Sequence, residues 1–321
     1  MKFIITVDVE GDNLWGNPTQ ATTENSQCVP RFHNLCVSYG FHPTYLVDYE
    51  MANDTFFQQF GRETIEKREA EIGMHLHAWN TPPMSPDQRP LRDQLYITEL
   101  DEESMLQKME FMTSLLSDIF RVRPVAHRAG RWGFDNRVAR TLDTLGYRVD
   151  CSVTPGVSWH HHKGDPRGNG GPDYYEFGLH PYFLDLGNIK RAGCSNILEV
   201  PVTIRPIYSK TIMRAFHTIS KWSLAARGIQ RFVRPNRWLK PNGHNLHDSL
   251  DLVDWALSSN LPVLQLALHS SELLPGNPFF PERADVERFY RDLETLFSHV
   301  ASRQITGCTL TDYRNESNCG K

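Results

Sequence analysis

The chain has few of the features that would assign it quickly. Its six cysteines, Cys28, Cys36, Cys151, Cys194, Cys308 and Cys319, are dispersed with no C-x-x-C pair, which excludes a zinc knuckle or a dithiol motif and leaves them as reduced, mostly buried residues. No window approaches the roughly 20 apolar residues needed to cross a bilayer. Residues 1 to 10 lack the charged start and apolar run of a secretory signal, so a cytoplasmic protein is expected. No period of about 20 to 50 residues repeats, which excludes a solenoid. One long stretch also lacks acid: between Glu199 and Asp248 there is no Asp or Glu but there are nine cations, from Arg205 to Lys240, so that a net charge of −4 conceals −13 on the rest of the chain. Such a tract is either a solvated helical face or a surface for an anionic partner. No nucleic-acid partner is expected.

At 321 residues and 40% apolar content, the chain is long enough for a large core. Its opening run, Phe3-Ile4-Ile5-Thr6-Val7-Asp8-Val9-Glu10-Gly11, reads as a strand. Side chains along a strand alternate with period two, so Thr6, Asp8 and Glu10 project one way and Phe3, Ile5, Val7 and Val9 the other. A strand whose last same-face positions are acids, broken at once by glycine, suits an inner strand delivering ligands to the rim of an α/β fold.

Further strands are predicted at 42–48, 71–77, 124–128, 147–152, 197–203, 262–269 and 305–310, and helices at 28–39, 55–71, 102–120, 136–145, 249–257 and 285–300. Met105, Met109, Met112, Leu115, Leu116 and Ile119 fall on one helical stripe, which makes them core packing. Residues 153–195 interrupt the rhythm as a loop-like insertion without a core of its own, and its His160-His161-His162 is not expected to hold metal. A basic segment at 205–245 carries helical spacing. The alternation predicts one α/β domain over 1–321, a deformed barrel of about seven or eight β/α units with a long inserted loop region. A doubly wound open sheet is the alternative, weakened because no glycine-rich nucleotide fingerprint follows the first strand.

In a parallel barrel all strand ends converge on one rim, which brings together Asp8, Glu10, His75, His77, Arg128, Asp150 and His269. His75 and His77 share a strand face. Two imidazoles with one carboxylate make a three-ligand site with room for water and substrate, so a divalent metal, zinc in the first place, is expected on Glu10, His75 and His77. Asp12 is the alternative acidic ligand; Glu10 is preferred because it shares a face with Asp8.

These residues resemble the metal-dependent polysaccharide deacetylases, carbohydrate esterase family 4. Thr6-Val7-Asp8-Val9-Glu10 looks like the family's T-F-D-D strand, Glu71-Ile72-Gly73-Met74-His75 like its histidine motif, Arg128-Ala129-Gly130-Arg131-Trp132-Gly133 like its R-x-P-x-G motif, and Leu266-Ala267-Leu268-His269 like its final strand. Where the family places a second metal histidine, this chain has Trp79, and His77 takes the assignment. The resemblance implies a deformed barrel in which Asp8 is the base, His269 the acid that protonates the departing amine, and Arg128 the partner that holds Asp8. Asp150 is implied to orient His269 or Arg128. Both candidate proton carriers suit water attack on an amide or ester.

Trp79, Trp132 and Trp159 fall in or beside rim loops and are candidates for stacking on sugar rings, with Arg131 beside them on the substrate side. The expected substrate is an N-acetyl or N-formyl amino sugar of a surface polysaccharide, an O-antigen-like glycan or its precursor. A cytoplasmic location favours a nucleotide-linked or lipid-linked form, and residues 205–240 are expected to reach anionic groups at the inner membrane face. Rival readings are a glycoside hydrolase using paired carboxylates and a non-catalytic glycan-binding barrel.

Overall fold

The computed structural model describes residues 1–16, 18–84, 94–208, 211, 212, 215, 218 and 236–317. The first strand, β1 (Lys2–Val9), is an inner strand of a nine-stranded sheet, paired on both sides, and is buried along nearly its whole length. Both of its faces are covered, as parallel strands flanked by helices require. On one side Phe3, Ile5, Val7 and Val9 pack under the helices in the larger core. On the other, Ile4 joins Leu46, Ala126, Val149, Leu198 and Val263 in the barrel interior. Thr6, Asp8 and Glu10 continue that interior row towards the mouth.

The remaining strands are β2 (Thr44–Val47), β3 (Glu71–Leu76), β4 (Ala126–Ala129), β5 (Val149–Asp150), β6 (Tyr182–Phe183), β7 (Leu198–Glu199), β8 (Ile204–Pro206), β9 (Asn236–Trp238), β10 (Val263–His269) and β11 (Thr306–Gly307). The main sheet runs β10-β1-β2-β3-β4-β5-β7-β6, with β11 added beside β1. The strands from β10 to β7 are parallel and only β6 opposes its neighbour. The ladder is open between β7 and β10, and the segment after β7 bridges the gap. Thr203 Oγ1 accepts from Gln265 N at 2.8 Å, and its own N–H donates to the Gln265 carbonyl at 3.4 Å. The result is a curled α/β half-barrel, in keeping with the deformed barrel of seven or eight units expected from the sequence.

Helices α1 (Val29–Ser38), α2 (Tyr49–Ala52), α3 (Thr55–Glu66), α4 (Glu102–Phe120), α5 (Asn136–Thr144), α6 (Leu246–Ser258), α7 (Arg283–Ser302) and α8 (Leu310–Glu316) surround it. Their starts are chemically marked. Asp101 accepts from Ser104 N at 2.8 Å to open α4, which then buries Met105, Met109, Met112 and Leu116. A side-chain acceptor at this position satisfies an amide that the helix itself leaves unpaired.

Three expectations need correction. Residues 305–310 do not form one strand: only Thr306 and Gly307 pair with β1, and Thr309 caps α8 in a reciprocal box with Asp312. The insertion at 153–195 is more than a loop excursion, because it contributes β6 to the sheet and buries Tyr174, Phe183 and Leu184. The segment expected to be helical from 205 to 245 begins and ends as the antiparallel pair β8–β9, and α6 starts just beyond it. Most of the helical expectation there, 209–235, lies outside the described residues apart from four isolated positions.

Candidate metal centre

Parallel register brings the ends of β1, β3 and β4 to one edge of the curled sheet, with Asp8 next to the end of β10 and His75 opposite Arg128. Glu10, just past the end of β1, is fixed through its backbone, whose N–H donates to Ser270 Oγ (3.1 Å) and whose carbonyl accepts from Asn25 (2.8 Å). Its Oε2 faces two imidazoles: His77 Nε2 at 3.3 Å and His75 Nε2 at 3.6 Å. The three ligand atoms lie within 4.8 Å of one another, and all three side chains are buried.

The tautomer of His75 follows from its surroundings. Its Nδ1 lies 3.0 Å from the carbonyl of Arg128 and acts as the donor there, which leaves Nε2 as a bare lone pair, the form that binds a metal. Gly130 is needed for this packing, since a Cβ there would collide with the ring of His77 and the carbonyl of Leu76.

The donor set fits a divalent cation. Glu10 Oε2 and both ring nitrogens of His77 are buried without a hydrogen-bond partner, and buried polar atoms left unpaired in this way require an explanation. Burial is the main force pushing the His77 pKa down, to about 4, so the ring is neutral near pH 7. Burial alone would raise Glu10, but the neighbouring His269, His75 and His77 outweigh it and hold the carboxyl well below its ordinary range. One anion and a neutral imidazole with a free lone pair thus converge on one point, in the combination that zinc and similar ions accept. Asp12 points elsewhere, to Thr22 Oγ1 and Asn25 N.

Beside this cluster lies a second group. Asp8 Oδ1 accepts from Arg128 Nη1 at 2.6 Å, and its Oδ2 stands 3.8 Å from His269 Nε2. Arg128 is fully buried and spends its other donors on Thr6 Oγ1 (2.7 Å) and the Cys151 carbonyl (3.1 Å). Burial works to raise Asp8, yet Arg128, helped by His75 and His269, keeps it below the usual value and therefore ionised. His269 is 24% exposed, and its Nδ1 meets Glu272 Oε1 (3.2 Å) and Lys240 Nζ (3.0 Å). Burial and Lys240 push its pKa down, but Glu10 and Glu272 prevail and the net shift is upward.

Several expected site residues are placed differently. Trp79 is 0% exposed and stacks on His77 at 4.3 Å between ring centres and 12° between planes. It backs the ligand ring, presents no face to a sugar, and leaves the candidate substrate set. Asp150 orients neither His269 nor Arg128. Val149 faces the barrel interior, so period two turns Asp150 outward, where its Oδ2 accepts from His127 Nδ1 (2.6 Å) and Ser152 Oγ (2.9 Å). Adjacent strands set His127, Asp150 and Glu199 in one row. The Arg131 guanidinium is engaged by the carbonyls of Gln94 and Lys163 and lies 4.2 Å from the Tyr96 ring centre. It ties rim loops together.

Trp132 and Trp159 stack at 6.3 Å and 19°, and both contact Trp238 on β9. The Arg128 guanidinium lies 5.1 Å from the Trp132 ring, which connects this aromatic wall to Asp8. Trp238, Lys240, Glu272 and Trp15 did not emerge from the sequence. Lys240 belongs to a segment read only as a basic tract, Glu272 lies in the unassigned stretch between the predicted strand 262–269 and helix 285–300, and no spacing ties them to His269. Among the described residues, His160-His161-His162 takes no part in the metal cluster.

By sequence, no family model and no curated protein matches the chain. By structure it is similar to a candidate polysaccharide deacetylase from Mycobacterium smegmatis, with 15% identity, a TM-score of 0.50 and coverage of 96% of this chain and 93% of the other. A candidate glycoside hydrolase/deacetylase from Parabacteroides distasonis superposes with a TM-score of 0.62 at 9% identity, covering 98% of this chain and 70% of the other. A 4-alpha-glucanotransferase from Thermococcus litoralis also superposes, at a TM-score of 0.50 and 10% identity, but the match spans 99% of this chain and only 39% of that one. The curled parallel sheet with its mouth at the strand ends is thus similar in fold to the polysaccharide-deacetylase-type barrels, at 9–15% sequence identity.

Proposed function

We propose that the protein is a metal-dependent hydrolase that removes an acyl group, N-acetyl or N-formyl, from an amino sugar. The observation that carries this reading is the meeting of an ionised carboxylate, Asp8, with the buried trio Glu10, His75 and His77 in one mouth. A divalent cation held by that trio, zinc by its ligand types, would supply Lewis acidity, acidifying water and polarising the acyl carbonyl.

The chain's own groups divide the proton work. Asp8, kept anionic by Arg128, takes a proton at Oδ2, because Oδ1 is already occupied by the guanidinium. Its carboxylate cannot swing away, since Arg128 is itself fixed by Thr6 and Cys151. His269, with its pKa shifted upward, carries a proton on Nε2 and delivers it to the departing amine, while Glu272 braces Nδ1. An acid whose pKa lies close to the working pH transfers its proton efficiently.

Glycoside hydrolysis with Asp8 and Glu10 as the paired carboxylates fits less well. It requires one carboxylic acid held protonated by a raised pKa, and both Asp8 and Glu10 are shifted the other way. The substrate is read as a glycan unit of a surface polysaccharide or O-antigen-like precursor, lipid-linked or nucleotide-linked. Trp132 and Trp159 then offer aromatic faces, and the cations of the basic stretch from 205 to 240 would pair with anionic groups. No described helix is long and apolar enough to cross a membrane; action in the cytoplasm, at the inner membrane face, belongs to the same proposal.

The test is release of acetate or formate from acylated amino sugars by the purified chain, with and without chelator. Release that stops on chelation, returns with Zn²⁺ and is lost in Asp8→Asn supports the reading. Sugar binding without release, unaffected by chelator, would overturn it in favour of a glycan-binding barrel.

A further inference from the structure

Trp15 lies on a single turn, Leu14–Gly16, between β1 and α1. The turn is anchored: Leu14 is fully buried and its carbonyl accepts from Gln94 Nε2 at 3.3 Å. From there the indole reaches back five residues, and Nε1–H donates to Glu10 Oε1 at 2.7 Å. The ring also stands edge-on to His77 and to Trp79, with 5.8 Å between centres in each case. It is nonetheless 45% exposed, so neither core packing nor burial accounts for its position.

The two oxygens of Glu10 therefore have separate partners. Oε1 belongs to the indole, whereas Oε2 has no hydrogen bond and faces His75 and His77. A carboxylate free on both oxygens can rotate and offer the pair to a cation, filling a position that substrate or water needs. With Oε1 held by a donor in a buried setting, only Oε2 remains to bind.

We propose that Trp15 is a positioning residue for the metal centre: its N–H fixes Glu10 as a one-oxygen ligand and keeps a coordination position open. This rests on the Glu10, His75 and His77 site proposed above. The chemistry is general, since partners hydrogen-bonded to metal ligands commonly change affinity 10- to 100-fold when removed.

The experiment uses Co²⁺ as an optical probe on the full chain. Trp15→Phe keeps a ring against His77 and Trp79 but removes the N–H. Expected are Co²⁺ binding weakened about tenfold or more in competition with a chelator and a drop in visible d–d absorptivity, the mark of a coordination number above four. In the wild-type chain, an indole ¹⁵N–H resonance that is absent from Trp15→Phe should shift on Zn²⁺ addition; this measurement requires only that the variant be folded enough to assign one peak. Should Trp15→Phe bind Co²⁺ as tightly as wild type with the same spectrum, or should no indole resonance respond to Zn²⁺, the role assigned to Trp15 falls while the metal site stands. If the wild-type chain binds neither ion, both fall.

Discussion

The two walls of the mouth are held in different ways. One wall, Asp8, Glu10, His75, His77 and Arg128, comes from the ends of β1, β3 and β4 and is buried throughout. The other, His269, Lys240, Trp132, Trp159 and Trp238, is partly exposed and comes from the ends of β10 and β9 and from connecting segments. Strand register places the first to within a hydrogen bond, and low dielectric makes each of its charges dependent on a partner. The second is wetted, so its groups can be replaced or rearranged at lower cost. A base and a cation site need fixed geometry; a proton donor at the solvent edge does not.

The largest expected difference between the walls lies in catalysis. Asp8→Asn should lower acyl release about a thousandfold, within the usual range for loss of a general base, whereas His269→Gln should cost about a hundredfold because solvent supplies protons on that side. Equal losses in steady-state assays would erase the distinction. A second contrast is in stability. Arg128→Met strands Asp8 in a buried site and should cost about 3–5 kcal/mol in urea unfolding, while Arg237→Met, partly exposed beside Asp248 and Asp251, should cost under about 1 kcal/mol.

The wet wall should respond most clearly through pH. If His269 is the acid, as proposed, its protonated form is the active one and activity falls as pH rises through its pKa. Glu272 raises that pKa and Lys240 lowers it. Glu272→Gln should therefore move the alkaline limb of kcat/KM to lower pH, and Lys240→Met to higher pH; limbs that do not move, or that move together, would detach both residues from His269.

The smallest effect concerns the outward row beyond the dry wall. Burial, then the neighbouring Asp150, pushes Glu199 well above the ordinary carboxyl value of 4.5. The unfolded chain loses this proton at lower pH than the folded one, so the contribution to stability is whole below about 4.5 and declines as pH rises through the folded pKa. Glu199→Gln should match wild type near pH 4 and exceed it near pH 8 in urea midpoint. Parallel curves would show that Glu199 does not titrate with folding.

Much of the dry wall was legible because strand periodicity is local. The alternation in residues 3–10 separates Phe3, Ile5 and Val7 from Thr6, Asp8 and Glu10, and the structure keeps that division. The same rule, applied to Val149 and Asp150, would have turned Asp150 away from the mouth. The capping box of Thr309 and Asp312 was likewise present, though the apolar run before it reads as strand. Trp79 was misplaced because nearness in sequence to two histidines does not say which side of the ring it covers.

By itself the sequence determined the alternation of strands and helices, the face on which the first acids stand, and the pairing of His75 with His77 on one side of β3, all consequences of backbone geometry over a few residues. Tertiary structure decided which distant groups meet: Arg128 on Asp8 across 120 residues, Lys240 and Glu272 on His269, and the indole of Trp15 on Glu10. Those contacts depend on sheet register and on how loops settle over a packed core, and both are set by the burial of apolar surface far away along the chain.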